Sequence, residues 1–214
     1  MVSRRAVRAL TAWLAMGLVG LALYVAWPRR MVYVHSHVTG KAYLVKNLPH
    51  SQAAADRLAT MELRVRDFLH KAEALAPGDP RLHNIRMKWN GTLAETQVDK
   101  DVAYSIGKNA ISVCVRSPDG QLDSENTAMY VLLHELAHVA SDKYGHTDRF
   151  WLNMKFLLEL AERTGAYTYE DFENTETSYC GLPLKSSLLS CVKKATCKSE
   201  LGRGHGGHGG HGGR

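Results

Sequence analysis

The chain has 214 residues, with 27 Lys and Arg, 21 Asp and Glu, and a formal net charge of +6. Five arginines lie within residues 1–30 and two within residues 201–214, and neither segment has an acidic residue, so residues 31–200 hold 20 basic and 21 acidic side chains. Because this central part has no basic excess, the composition argues against nucleic acid as a partner. Its length suits one domain with its own core.

Residues 1–30 form a distinct N-terminal segment. An uninterrupted apolar stretch, residues 9–27, follows three arginines and is closed by Pro28, Arg29 and Arg30. Nineteen helical residues rise about 28 Å, close to the thickness of the hydrocarbon core of a bilayer. We therefore predict a single transmembrane helix that contacts the lipid bilayer through residues 9–27, and a single-pass membrane protein. The alternative is a cleaved signal peptide, although its apolar core is usually shorter.

The next part of the chain predicts a hairpin, a long helix and a strand. Residues 31–38 and 41–45 alternate in polarity, and residues 51–75 place apolar side chains on one face of a helix with Ser51 as the expected N-cap. Residues 81–89 predict another short element. Residues 110–116 predict a strand, which is either an exposed edge that holds a peptide substrate by strand addition or an ordinary core strand.

Two further helices are predicted, and the first carries the most informative motif. Residues 124–141 are mostly apolar, and residues 147–163 follow with Thr147 as an N-cap and Gly165 as a C-cap. The first helix contains His134, Glu135 and His138 in the pattern HExxH. Two histidines four residues apart lie on one helix face, so both can bind one ion. Unpaired buried polar groups are costly, and a metal would satisfy all three side chains.

The motif predicts a catalytic zinc site, which usually has three protein ligands and one open position. His134 and His138 supply two ligands, and His146 is the leading candidate for the third, because Gly145 can turn the chain back toward the motif helix. Glu159 or Glu162 on the following helix is the alternative third ligand. Asp142 and Asp148 are weaker candidates, or would orient a ligand from outside the metal's own shell.

Glu135 is the expected catalytic residue. Its carboxylate would take a proton from a water molecule activated by Zn²⁺ and would later protonate the leaving amine. Tyr104, Tyr167 and Tyr179 are candidates to stabilise the oxyanion, and each is alternatively a packing residue.

The stretch from His134 to Trp151 resembles the WLM and SprT-like zincins, which pair HELAH with a later His and an aromatic residue on the next helix. A broader resemblance, over most of residues 31–185, is to inferred zinc metallopeptidases of large DNA viruses of algae and protists and some of their hosts. It implies a minimal zincin-like α+β fold, a small sheet packed on helices, with peptidase activity and a viral source. The matching stretches are residues 43–48, 53–58, 103–108, 113–116, 134–150 and 179–181.

The resemblance also bears on the cysteines. Cys114 and Cys180 lie in two of the matching stretches, and we hypothesise that they lie close together near the active site, either paired or as thiols. Cys191 and Cys197 lie outside the resemblance, where they would pair locally.

The chain is therefore predicted to have three segments: a transmembrane anchor at residues 1–30, a zincin-like domain at residues 31–200 and a flexible Gly/His-rich tail at residues 201–214. The expected function is that of a membrane-anchored zinc metallopeptidase acting on a protein or peptide substrate. The alternative is a catalytically silent zincin-fold protein, a structural or entry component of a virion membrane.

Overall fold

The computed structural model describes residues 31–97, 103–106, 109–117, 119–142, 145–172, 174–175 and 177–184. The predicted anchor at residues 1–30, the tail at residues 201–214, and Cys191 and Cys197 lie outside these ranges. Within them the chain order is β1 (Met31–His35), β2 (Ala42–Lys46), α1 (Ser51–Leu75), α2 (Pro80–Lys88), β3 (Thr92–Glu95), β4 (Ala103–Ile106), β5 (Ala110–Val113), α3 (Glu125–Ala140), α4 (Asp148–Thr164), β6 (Thr177–Tyr179) and β7 (Leu182–Leu184).

The expected α+β class is confirmed, and most element boundaries follow from local sequence signals. Asp79 caps α2 with Pro80 at its first position, Ser124 caps α3 through the Thr127 N–H, and Thr147 caps α4 through the Phe150 N–H. Gly165 ends α4 at φ 73°, a conformation that glycine adopts without strain. The expected cap of α1 is wrong, because Ser51 is the first helical residue and the left-handed His50 precedes it without a side-chain cap bond.

Within the described ranges the strands form three small sheets. β1 and β2 make the expected antiparallel hairpin, and β6 pairs with β7 in a second hairpin. The third sheet has the order β3-β5-β4, with β5 parallel to β3 and antiparallel to β4. The possibility that residues 110–116 form an exposed edge is therefore wrong: β5 is the central strand, and β4 is an edge of this sheet.

The hydrophobic core lies between the helices and the β3-β5-β4 sheet. α1 contributes one buried face, and α3 is buried on nearly all sides, as its apolar sequence predicts. α4 packs against both α1 and α3. The helix that carries HExxH is therefore the innermost helix of the domain.

The prediction of a transmembrane helix needs a correction. In the part of the chain that the structure describes, no helix combines the length and the apolar character that crossing a bilayer requires. The longest of these helices, α1, has 25 residues but carries charged side chains along its length. The membrane-anchored form of the fold prediction and the single-pass localisation are thus unsupported, and the proposed span, residues 9–27, lies outside the described residues.

Candidate metal centre

Three histidines from two neighbouring elements converge at one place. His134 and His138 lie one turn apart on α3, and His146 lies in the turn that leads into α4. The ligand nitrogens of all three lie within 4.8 Å of one another. Nε2 of His134 and Nε2 of His146 are 3.0 Å apart. The structure thus brings together the three residues that the sequence selected as ligands.

This donor set fits a zinc ion. Two nitrogens bound to one tetrahedral zinc lie about 3.4 Å apart, because each Zn–N bond is about 2.1 Å long. The separation of 3.0 Å between the His134 and His146 nitrogens is close to that value. The three imidazole centroids are also nearly equidistant, at 4.9 to 5.0 Å. Three imidazoles that leave one position open are the ligand set of a catalytic zinc site.

The aromatic ring of Phe150 forms the floor of this cluster. Its centroid lies 4.8 Å from that of His134, 4.2 Å from that of His138 and 4.7 Å from that of His146. Trp151 stacks on His146 at a centroid distance of 5.4 Å. Because Phe150 is fully buried, it gives the three imidazoles a rigid common surface and restricts their rotamers. The sequence predicted no such role for Phe150, and its position in the first turn of α4, close to His146 in the chain, was the available signal.

A chain of buried hydrogen bonds joins the end of α3 to α4. The Asn153 side chain donates to Oγ of Ser141 at 3.0 Å, and Ser141 donates to the carbonyl of Ala137 at 2.7 Å. Both side chains are buried. Asn84 on α2 donates to the carbonyl of Ala140. These bonds hold the last turn of α3, which carries His138, against the helix that follows His146. Sequence reasoning missed them, because a single Asn on a helix face carries no specific signal.

Burial shifts the protonation of two of the three histidines, His134 and His146, toward the neutral form. It lowers the pKa of His134 to about 3, and His138 and His146 act in the same direction when charged. The pKa of His146 is lowered by burial as well. A neutral imidazole offers the lone pair that a metal requires, so this environment favours the form that binds.

Glu135 lies beside the histidines in an apolar setting. The residue is only 6% exposed, and its carboxylate makes no hydrogen bond or ion pair with another described residue. Burial raises the pKa of Glu135 to about 7. A carboxyl group with a pKa near neutrality can both accept and donate a proton at physiological pH.

The other candidate ligands lie apart from the cluster. Glu159 is exposed and pairs with Lys155 at 3.8 Å, and neither it nor Glu162 belongs to the group of converging ligand atoms. Asp142 is exposed and lies 3.8 Å from Lys88. Asp148, in the first turn of α4, is outside the group as well. Among the described residues, the geometry therefore favours His146 over the carboxylates.

Two of the three tyrosines proposed for oxyanion binding have structural partners. The hydroxyl of Tyr179 is buried and donates to the carbonyl of Cys114. Tyr167 is buried against Tyr130, and its hydroxyl accepts from the N–H of Glu170 at 3.3 Å. Tyr104 lies on the edge strand β4. Tyr167 and Tyr179 are packing residues in this structure.

Cys114 and Cys180 form a disulfide, so of the two forms that we hypothesised, a pair or two thiols, the structure has the pair. The bond joins the end of β5 to the β6–β7 hairpin, and Asp123 lies beside it with Oδ2 3.2 Å from Sγ of Cys180. Asp123 precedes α3, and His134 lies about 15 Å further along the helix axis. The pair is therefore at the opposite end of α3 from the histidines, which corrects its expected place near the active site.

The chain is similar to uncharacterized proteins of DNA viruses. It is 35% identical over 167 residues to uncharacterized protein R325 of Acanthamoeba polyphaga mimivirus, across 73% of this chain and 84% of that protein. It is 33% identical over 101 residues to uncharacterized protein 136R of Invertebrate iridescent virus 6, across 41% of this chain and 57% of that protein. It is 38% identical over 71 residues to uncharacterized protein 042R of Invertebrate iridescent virus 3, across 33% of this chain and 45% of that protein.

No protein-family model and no solved structure matches the chain. The viral relatives confirm the expected resemblance to proteins of large DNA viruses, and their names assign no activity. The identity and coverage of the first match decide the relationship: the chain belongs to the same protein family as R325 of Acanthamoeba polyphaga mimivirus.

Proposed function

We propose that the protein is a zinc-dependent peptidase. The proposal is carried by one observation: His134, His138 and His146 direct their ligand nitrogens to within 4.8 Å of one another. Three neutral imidazoles are suited to zinc among the common divalent ions. Glu135 follows His134 on the same helix and is only 6% exposed, a setting that raises the pKa of its carboxyl group in the metal-free protein.

The residues divide the chemistry among them. A zinc ion held by the three histidines would supply Lewis acidity toward a carbonyl oxygen and would lower the pKa of a water molecule. Glu135 would accept the proton of that water and pass it to the leaving amine, and its buried position beside the histidines suits this role. Phe150 keeps the imidazoles in place from below.

The edge strand β4 is the proposed site for the substrate backbone. β4 packs against α3, and its ladder partner among the described residues is β5 alone. An extended peptide can add to such an edge through main-chain hydrogen bonds, whatever its sequence. This arrangement would lay a protein substrate along the helix that carries His134 and Glu135.

The first test is the zinc content of the full-length protein, measured by mass spectrometry. His205, His208 and His211 are replaced by alanine in every sample, so that the tail binds no zinc. We expect one zinc per chain, its loss in His134→Ala and in His146→Ala, and its retention in the control Glu159→Gln. Zinc that survives His146→Ala but not Glu159→Gln would reassign the third ligand. A folded protein without zinc would contradict the proposal.

The second test separates turnover from metal binding. Glu135→Gln should keep the zinc and lower the hydrolysis of an unfolded protein substrate by at least about 100-fold, since Gln cannot accept the proton. Wild-type protein that holds zinc but hydrolyses no substrate would favour the alternative, a structural component of the virion without turnover.

A further inference from the structure

A cavity that is open to solvent lies away from the three histidines. It has a volume of about 570 Å³ and lies between the second half of α1, the end of α2 and the turn before β3. Neither the histidine cluster nor Glu135 contributes to its lining. The volume falls within the range of sites that hold small organic ligands, roughly 300–1,000 Å³.

Two arginines from different helices line this cavity. Arg66 lies on α1 and Arg86 on α2. Guanidinium groups present a planar fork of donors that matches the oxygens of a carboxylate or a phosphate. Both side chains are more than half exposed, at 53% and 61%, so their remaining N–H groups can be reached from solvent.

A buried carboxylate fixes the position of Arg66. Nε and Nη2 of Arg66 lie 3.0 and 2.9 Å from Oε1 of Glu62, which is only 5% exposed. On its other side the guanidinium lies against Gly91, where a Cβ atom would be 2.2 Å from Nη2. Gly91 also has φ +83°, so glycine serves both the turn and the close approach. Arg66 is thus held in place before any ligand arrives, which lowers the entropy cost of binding.

The cavity is lined by two arginines and one carboxylate, that of Glu73, so the charge of its lining is positive and favours an anion. Glu62 is shared between Arg66 and Lys41, whose Nζ lies 2.9 Å from Oε2, so one carboxylate faces two cations. Among the described residues the acidic partner of Arg86 is Glu73, at the long distance of 3.6 Å between Nη1 and Oε2, and Oε1 of Glu73 accepts the N–H of Gly78. An incoming anion can therefore replace Glu73 as the partner of Arg86.

The cavity also has an apolar wall. Leu69 and Trp89 are largely buried, at 9% and 6% exposure. The indole N–H of Trp89 donates to the carbonyl of Thr92 at 3.4 Å, so the polar atom of the side chain already has a partner within the chain. We propose that this cavity is a binding site for a small organic anion, one that carries a carboxylate or phosphate group on an apolar body.

Calorimetric titration of the metal-free, full-length protein tests this proposal. The probes are phenyl phosphate, 3-phenylpropionate, inorganic phosphate and benzyl alcohol. We expect one of the two aromatic anions to bind more tightly than inorganic phosphate and benzyl alcohol, and the preferred one identifies phosphate or carboxylate as the recognised group. No binding of either aromatic anion, or equal binding of benzyl alcohol, would overturn the proposal.

Variants locate the binding. Arg66→Gln and Arg86→Gln should each raise the Kd by about tenfold, the effect of losing a charge-assisted contact. Arg64→Gln is the matched control, because Arg64 lies on the same helix but binds Glu125 at 3.1 Å outside the cavity. It should change the Kd by less than about twofold. Equal weakening by Arg64→Gln and Arg86→Gln would show a general charge effect and contradict the assigned site.

The indole N–H resonances give an independent readout of position. Trp89 lines the cavity, whereas Trp151 stacks on His146 at the proposed metal centre. With ¹⁵N-labelled tryptophan, assigned through Trp89→Phe and Trp151→Phe, we expect the anion to shift the Trp89 resonance and leave that of Trp151 unchanged. A shift of Trp151 alone would place the anion at the histidines and overturn the proposal. The outcome is independent of zinc binding and of peptidase activity.

Discussion

At the scale of single residues, His134 and Glu135 are neighbours whose pKa values move in opposite directions for one reason. Burial lowers the pKa of His134 to about 3 and raises that of Glu135 to about 7. Desolvation disfavours the charged form of any group, which is the cation for histidine and the anion for glutamate. In the metal-free protein both side chains are therefore held nearer to neutrality than the same groups in an unfolded chain.

The raised pKa of Glu135 makes stability depend on pH with a defined sign. The folded state binds the Glu135 proton more tightly than the unfolded state, whose value is near 4.5. Glu135 therefore costs stability as the pH rises from about 4.5 to about 7, and the cost is complete above that range. Glu135→Gln removes this pH-dependent loss of stability. The histidines titrate in both proteins, so their contribution cancels when the two are compared.

We expect Glu135→Gln to be more stable than the wild type by roughly 3 kcal/mol at pH 8, with the difference shrinking toward pH 4.5. Urea unfolding of both proteins at a series of pH values, with a chelator present, measures this difference. A difference that does not change between pH 4.5 and pH 8 would contradict the shifted pKa.

Arg116 is a second buried charge, and it joins three parts of the fold. It binds Glu95 through Nε and Nη2 at 2.9 and 2.6 Å, and donates to the carbonyls of Lys46 and Pro49. Both charged side chains are almost fully buried, at 2% and 1% exposure. Arg116→Met would leave Glu95 buried without its partner, which costs about 3–5 kcal/mol.

Chemical denaturation measures the loss caused by Arg116→Met. Lys71→Met is the control, because it breaks an exposed ion pair with Asp67 and should cost less than about 1 kcal/mol. Similar losses in the two variants would show that the Glu95–Arg116 pair has no special role in the domain.

At the scale of elements, the contact between α3 and α4 sets the geometry of the candidate metal centre. His138 lies in the last turn of α3 and His146 in the turn that leads into α4, so the separation of the two ligands depends on how the helices are held. Asn153 and Ser141 form the buried hydrogen bond across this contact. An error of about 1 Å in the position of one ligand would weaken metal binding severely.

We expect Asn153→Ala to weaken zinc binding by about tenfold, the lower end of the effect of residues that support metal ligands. Competition with a chromophoric chelator measures the affinity. Asn126→Ala is the matched control, because Asn126 bonds Glu170 and Thr168 at the other end of α3. It should lower stability without changing zinc affinity, and an equal loss of affinity in both variants would contradict the role of Asn153.

At the scale of the whole molecule, the Cys114–Cys180 disulfide joins the last two strands to the central sheet. It closes a loop with a sequence separation of 66 residues. The contacts of the β6–β7 hairpin with the rest of the described domain centre on this bond, the Tyr179 hydroxyl and the pairing of Cys180 with Asp123. Because the bond lies at the far end of α3, stability and zinc binding should respond to it separately.

Replacing both cysteines, Cys114→Ala with Cys180→Ala, should lower the free energy of unfolding by about 4 kcal/mol, from the entropy that the loop regains in the unfolded chain. Zinc affinity should stay within about twofold of the wild-type value under conditions where the variant is folded. Calorimetric unfolding and chelator competition measure the two quantities. A parallel loss of zinc affinity would show that the two ends of α3 are coupled.

The predictability of this domain differs between local and long-range features. The helices at residues 51–75, 124–141 and 147–163 follow from apolar spacing and from caps such as Ser124 and Thr147, which act within a few residues of the chain. The pairing of β5 on both sides does not follow, because strand order is decided by partners far away in sequence. The prediction for residues 110–116 left the edge and the core open for this reason.

By itself the sequence determined the ligand pair His134 and His138, because four residues make about one helical turn and the spacing alone places both on one face. The tertiary structure decided the third position: it brings His146 to the pair and leaves Glu159 on an exposed face, which depends on how α4 packs against α3. It also decided the burial that shifts the pKa of Glu135 and the hydrogen bond between Asn153 and Ser141. Spacing acts within one helix, whereas burial and convergence exist only once separate elements have packed.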